Sequence, residues 1–183
     1  ALIVAMLRGL LETQRARAAD PAAFLAGLND GLSAILERAG ITIFATAFYA
    51  VIDLPAGELR FACAGHPGPI VADADGVRQI ATARDAKGPA LGLFREANYP
   101  AQRLALATLR RLVLFTDGVL EAENREGEPF FEKRLIDLVA ARCEEPLEAM
   151  LDTILASVLG FSESRHFDDD VCLLAADFTR VKP

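Results

Sequence analysis

The segment Arg111-Leu112-Val113-Leu114-Phe115-Thr116-Asp117-Gly118-Val119 restricts the folds open to this chain more than any other. Large apolar and β-branched residues in succession read as a strand buried inside a sheet. The run ends on an acid and a glycine, so the Asp117 carboxylate is delivered to a sheet rim, and Gly118 permits a sharp turn there. Near the C-terminus the order is inverted, with Asp168-Asp169-Asp170 ahead of the apolar run Val171-Cys172-Leu173-Leu174-Ala175-Ala176. If the two strands are neighbours, the acids that end one face the acids that open the other.

The rest of the chain supplies short strands between helices. Ala1 to about Arg17 reads as a helix. Asp20-Pro21 then provides an N-cap and a first-turn proline, and Phe24, Leu25, Leu28, Leu32, Ile35 and Leu36 form the stripe of a second helix that Gly40 ends. Gly27 and Gly31 inside it point to close helix packing or to a helix that can shift. Ile41 to Ile52 reads as a strand, with Asp53 as a hydrogen-bonding turn residue before Leu54-Pro55-Ala56-Gly57, and Glu58 to Ala64 as the hairpin partner. Gly65-His66-Pro67-Gly68-Pro69 is a rigid bend in which His66 is structural. Further strands are expected at Ile70–Ala72, Val77–Ile80 and Tyr99–Leu106, with a polar loop at 81–87 and a second bend at Gly88–Gly92. The acids Glu121, Glu123, Glu126, Glu128 and Glu132 mark a solvated surface. Helices follow over Phe130–Arg142 and from Pro146 to a stop at Gly160. Short strands joined by tight turns argue for antiparallel sheets in one α+β domain spanning 1–183.

Composition narrows the function. With 52% apolar and 25% charged residues the chain is an ordinary folded globule, and its net charge of −7 disfavours nucleic acid. The longest apolar run, Ala1 to Leu7, is too short for membrane insertion. Cys63, Cys143 and Cys172, an odd and scattered set, read as buried reduced thiols in a cytoplasmic protein. The chain opens inside an apolar helical pattern without Met or an N-cap, so further residues are expected upstream. Carboxylates gathered at strand ends are hard oxygen donors that suit Mg²⁺ or Mn²⁺, which activate water and stabilise phosphoryl transfer. The competing reading makes the same acids only turns and caps.

Several landmarks occur together: Phe44 to Asp53 (FATAFYAVID), Gly57, Ala64-Gly65-His66-Pro67, Gly88-Pro89-Ala90-Leu91-Gly92, Leu114 to Ala122 (LFTDGVLEA) and Asp169-Asp170-Val171. In this order the chain resembles the SpoIIE-like branch of the metal-dependent serine/threonine protein phosphatases (PPM), over nearly its whole length. The resemblance implies an α-β-β-α sandwich of mainly antiparallel sheets flanked by helices, with two Mn²⁺ or Mg²⁺ ions. It implies hydrolysis of phosphoserine or phosphothreonine by metal-activated water, on a phosphorylated regulatory protein of the anti-sigma-factor-antagonist type in bacterial stress or development signalling. By it Asp117 and Asp169 are the catalytic, metal-binding acids, Asp170 a further ligand (Asp168 if the register shifts by one), and Gly118 lies beside the metals. His66, Gly65 and Thr116 are structural neighbours of that site. The family's Asp-x-x-Gly-His-Gly motif and first strands are absent, and the usual Asp-Asp-x-Thr here reads Asp169-Asp170-Val171-Cys172. The expectation is therefore a parent phosphatase regulated by an upstream sensor domain, whose 183-residue piece binds metal weakly and is nearly inactive. The alternative is an inactive phosphatase-like module for binding or signal transmission. Sheet edges left open by missing strands could also pair two copies into a homodimer.

Overall fold

A computed structural model of the chain describes residues 2–80, 87–163, 167 and 169–178. Most of the polar loop expected at 81–87, and Asp168, lie outside the described residues. In chain order the elements are helices α1 (Leu2–Thr13) and α2 (Pro21–Ala39), strands β1 (Ala47–Asp53), β2 (Glu58–Ala64), β3 (Ile70–Asp73), β4 (Gly76–Gln79), β5 (Gln102–Ala105) and β6 (Arg111–Phe115), helices α3 (Phe131–Arg142) and α4 (Leu147–Ser162), and strand β7 (Leu173–Asp177). The expected mixture of helices and antiparallel sheets is what forms. The chain divides into two compact units, one of residues 1–66 and 82–106, the other of 67–81 and 107–183.

The first unit packs α1 and α2 with the sheet β1-β2-β5. Helix α2 starts where Asp20 accepts hydrogen bonds from the amides of Ala22 (3.0 Å) and Ala23 (3.2 Å), and Pro21 presets the first turn. It ends at Gly40, whose φ of 63° is left-handed. Its buried stripe of Phe24, Leu25, Leu28, Leu32 and Leu36 packs against Ala62 and Ala64 of β2 and against Leu91 and Tyr99. The glycines of α2 have the close-packing role, since a Cβ on Gly31 would run into the Leu10 side chain of α1. Asp53 caps its turn by accepting from the amide of Ala56 at 3.0 Å. Asn29, fully buried, donates to the carbonyls of Phe94 (2.9 Å) and Arg95 (3.1 Å) and accepts from the amide of Gly92 (2.9 Å). This ties a loop to the helix with every polar atom of the side chain used.

Two strands are shorter than expected. Pairing of β1 with β2 begins at Ala47 opposite Ala64, and Gly65 then turns away at φ 69°, so residues 41–46 find no partner in β2, and Ala45 bridges to Leu91 instead. Strand β5 contains only Gln102–Ala105 because Pro100 cannot donate to a ladder and Tyr99 is drawn into the core.

The second unit holds the sheet β4-β3-β6-β7 with α3 and α4. Ile70, Val113 and Phe115 from the strands meet Leu135 and Val139 of α3 and Met150, Ile154 and Val158 of α4 in one core. Helix α4 runs through Gly160 and stops at Ser162, with Glu163 left-handed at φ 50°. Nothing lies within 4 Å of a Cβ on Gly160, so the glycine neither ends the helix nor serves a contact. The surface acids Glu121 to Glu132 are exposed as expected. Of the cysteines only Cys63 is buried, and burial pushes its thiol up to about 11. Cys143 is half-buried and Cys172 is exposed. No helix among the described residues is long and apolar enough to cross a membrane.

Strand β6 lies inside this sheet and opens on a buried charge. Arg111, 4% exposed, donates from Nε and Nη2 to the two carboxylate oxygens of Asp177 at 2.6 and 2.9 Å, and from Nη2 to Glu145 O at 2.9 Å. Asp177 is its cross-strand register partner, and this hydrogen bonding raises the Arg111 pKa. Removing one member leaves the guanidinium buried without a counter-charge. Asp177→Leu should lower unfolding stability by about 2–3 kcal/mol, somewhat less than for a fully buried pair. The double change Arg111→Met, Asp177→Leu should recover most of it; urea denaturation of the wild type, the two single variants Asp177→Leu and Arg111→Met, and the double variant closes the cycle.

Candidate functional site

The expected neighbourhood of the two apolar strands is realised, since β6 and β7 pair antiparallel from Arg111–Asp177 to Phe115–Leu173. Thr116 and Cys172 continue the ladder, with the Thr116 amide donating to Cys172 O at 3.1 Å. The hydroxyl of Thr116 then links the two acidic segments. It donates to Asp170 O at 2.9 Å and accepts from the Cys172 amide at 2.8 Å, so both of its roles are used. Asp117-Gly118-Val119 follows as one 3-10 turn, and Asp169 accepts from the Asp170 amide at 2.7 Å.

The chain turns at Gly118 as expected, but not because of a left-handed conformation. It does not adopt a positive φ. A Cβ there would lie 2.8 Å from Asp170 O and 3.3 Å from Asp170 C, so a glycine is needed for close approach between the two segments. Asp117, Asp169 and Asp170 are all exposed on these adjoining turns.

Charge is distributed unevenly along this sheet. At the end where β6 begins, Asp177 pairs with Arg111, Asp73 with Arg78 at 2.6 Å and Glu144 with Arg110 at 2.6 Å. The hydrogen bond from Arg78 holds the Asp73 carboxyl below its usual range. At the opposite end, among the described residues, none of Asp117, Asp169 and Asp170 has an ion-pair partner. Neighbouring carboxylates repel, and a bound cation relieves that repulsion. Their oxygen donors are the type Mn²⁺ and Mg²⁺ prefer. The number of donors falls short, because no group of three or more His, Cys, Asp or Glu among the described residues comes close enough to hold an ion. The acids thus fit a divalent cation in kind and do not complete a centre for two.

His66 and Gly65 belong to the first unit. The His66 ring lies 3.5 Å from Thr46 Oγ1 and is tilted against Phe48 at 6.4 Å. The Gly65 amide donates to Gly88 O at 2.9 Å, and a Cβ on Gly65 would sit 3.0 Å from the Ala90 backbone. These contacts give both residues structural work within their own unit. The two-sided bond of Thr116 is invisible in the sequence, because a Thr before Asp-Gly is equally compatible with a solvent-facing hydroxyl.

Thr116→Val should leave Asp170 O and the Cys172 amide without this partner and lower stability by about 1–3 kcal/mol, whereas Thr116→Ser should lie near wild type. Gly118→Ala should separate the two acidic turns and cost more than the roughly 0.5–1 kcal/mol that alanine otherwise gains over glycine. Thermal unfolding of the three variants measures both effects.

Comparison with known proteins bears on this geometry. The family model described as stage II sporulation protein E (SpoIIE) matches residues 1–179. Phosphoserine phosphatase RsbP of Bacillus subtilis (strain 168) is 26% identical over 178 residues, covering 97% of this chain and 42% of RsbP. Phosphoserine phosphatase RsbU of the same organism is 24% identical over 159 residues, covering 85% of this chain and 46% of RsbU. The chain therefore spans less than half the length of these two relatives. The SiaA-PP2C domain of Pseudomonas aeruginosa superposes with a TM-score of 0.80 at 22% identity, over 98% of this chain and 69% of that domain's chain, and so shares its fold. With a family model matched over residues 1–179, and with paired strands that bring its two acidic turns together, the chain belongs to the SpoIIE family.

Proposed function

We propose that this chain is the phosphatase domain of a protein that hydrolyses phosphoserine or phosphothreonine on a small regulatory protein of the anti-sigma-factor-antagonist type. The carrying observation is the uncompensated acidic end of the β6–β7 pair, Asp117 beside Asp169 and Asp170, in a chain of the SpoIIE family. The names of RsbP and RsbU, both phosphoserine phosphatases, support the substrate class. Control by a sensor domain elsewhere in the protein and a cytoplasmic setting belong to the same reading.

A bound Mn²⁺ or Mg²⁺ supplies an activated water and neutralises developing phosphoryl charge. The protein's contribution is positional. Asp117 and Asp169 are the acids assigned to hold the ion, with Asp170 as a further donor. Thr116 fixes the spacing of the two turns through its two hydrogen bonds, and Gly118 lets them approach. Because two cations require more carboxylates than these turns provide, the 183 residues alone should bind Mn²⁺ weakly and turn over slowly.

The same shortage favours a second reading, a module that holds a phosphorylated partner without turnover. Mn²⁺ titration calorimetry and phosphate release from a phosphoserine peptide separate the two, using the full-length protein and this chain. Full-length protein should release phosphate only with Mn²⁺ or Mg²⁺, and Asp117→Asn should weaken Mn²⁺ binding at least roughly tenfold. Peptide binding without phosphate release by the full-length protein would favour the module and refute the enzyme. Unchanged Mn²⁺ affinity in Asp117→Asn would remove that residue from the site.

A further inference from the structure

Phe131 opens α3 in a backbone conformation that its own side chain disfavours. Its φ is 62°, in the left-handed region where glycine is free and a bulky residue is crowded, and it is 57% exposed. Packing of the fold is served by the residue before it. Phe130 is 3% exposed and meets Phe161 of α4 edge-on, with ring centroids 5.3 Å apart. Single exposed apolar side chains are ordinary on a protein surface. One that also holds the backbone in a disfavoured region calls for a reason outside the fold.

The residue lies close to the acidic rim. The Phe131 amide donates to Leu120 O at 3.3 Å, and the amides of Leu120 and Glu121 donate to Asp117 O at 2.7 and 3.0 Å. A short path of backbone hydrogen bonds thus joins Phe131 to the Asp117 turn. The stretch between them is tied down. The Phe130 amide donates to Ala122 O at 2.9 Å, and Arg134 Nη1 donates to the carbonyls of Pro129 (3.1 Å) and Phe130 (3.2 Å). The Arg134 guanidinium itself rests 4.5 Å above the Phe161 ring. Phe131 is therefore presented on a fixed base, in an acidic stretch of chain. Arg125 pairs with Glu163, Lys133 with Asp137 and Arg134 with Glu128, and among the described residues Glu121, Glu123 and Glu132 keep no ion pair.

We infer that Phe131 is a specificity-determining residue, packing on an apolar side chain that flanks the phosphoserine in a lysine- or arginine-bearing segment of the phosphorylated partner. The inference rests on the function proposed above and adds what surrounds the phosphate group. An aromatic ring offers a large contact area with few torsions to fix, and a rigid base lowers the ordering cost of binding further. The unpaired glutamates attract a basic flank and repel an acidic one.

Fluorescence anisotropy with the full-length protein and Mn²⁺ tests the contact by binding rather than turnover. The probes are labelled peptides centred on a non-hydrolysable phosphonate analogue of phosphoserine, with one leucine moved stepwise along a flank of alanine and lysine. Wild-type protein should bind one placement at least tenfold more tightly than the leucine-free peptide, a difference of about 1.4 kcal/mol. Exchanging the lysines for glutamates should weaken that binding. Phe131→Gly should erase the preference for leucine while holding or raising the thermal midpoint, because glycine accepts the left-handed backbone without crowding. The absence of any preferred placement, a preference that survives in Phe131→Gly, or equal binding of the glutamate-flanked peptide would each overturn the proposal. So would a lowered thermal midpoint with the preference intact, since the ring then serves the fold. The expected binding pattern without phosphate release would refute the enzyme and leave Phe131 its role in a module that holds the same partner.

Discussion

The antiparallel pairing of β6 with β7 is the constraint from which the second unit follows. It joins residues more than 50 positions apart, Phe115 to Leu173 and Arg111 to Asp177, and each end is locked by a polar clamp outside the ordinary ladder. At one end the guanidinium of Arg111 grips Asp177, and at the other the hydroxyl of Thr116 bridges Asp170 and Cys172. Between the clamps Val113 and Phe115 feed the core that α3 and α4 close. Sliding the pair by one residue would break both clamps and turn the apolar set to the wrong face, so the register is strongly specified.

That register also decides where the acids lie. Asp117 and Asp169 are brought together because the ladder ends where it does, and Gly118 removes the one side chain that would hold the turns apart. Positions on rigid strands and their first turns hold donors more accurately than long loops can. Helices α3 and α4 contribute indirectly, by burying the strands that set the spacing.

Much of this was legible in the residues. The run Arg111–Phe115 could only be an interior strand, and acids at the end of one strand and the start of another pointed to a shared rim. Asp20-Pro21 and Gly40 bounded α2 because caps are local chemistry. What failed to read depends on distant partners. Residues 41–46 have strand-forming composition, yet β2 stops at Ala64 and leaves them no ladder. Gly160 looks like a terminator, but a helix ends where its packing ends, and α4 keeps Phe161 against the core beyond Gly160. Gly118 was recognised as necessary for its conformation, while the actual reason is a neighbour more than 50 residues away. Asn29 carries no local sign of its three bonds to the 92–95 loop.

The two ends of the second sheet differ in whether their charges are matched. A cavity of about 700 Å³ opens at the β6 start, lined by Asp73, Arg110, Arg111, Glu144 and Asp177. Its charges are already matched, each of these acids holding an arginine at 2.6 Å. An incoming ion would have to displace a charge-assisted bond that is short and well aligned. The acidic turns at the other end give up no such bond, because the described residues offer them no arginine or lysine. Their mutual repulsion favours whatever positive charge arrives from solvent. The same strand pair thus satisfies its charges internally at one end and leaves them available at the other.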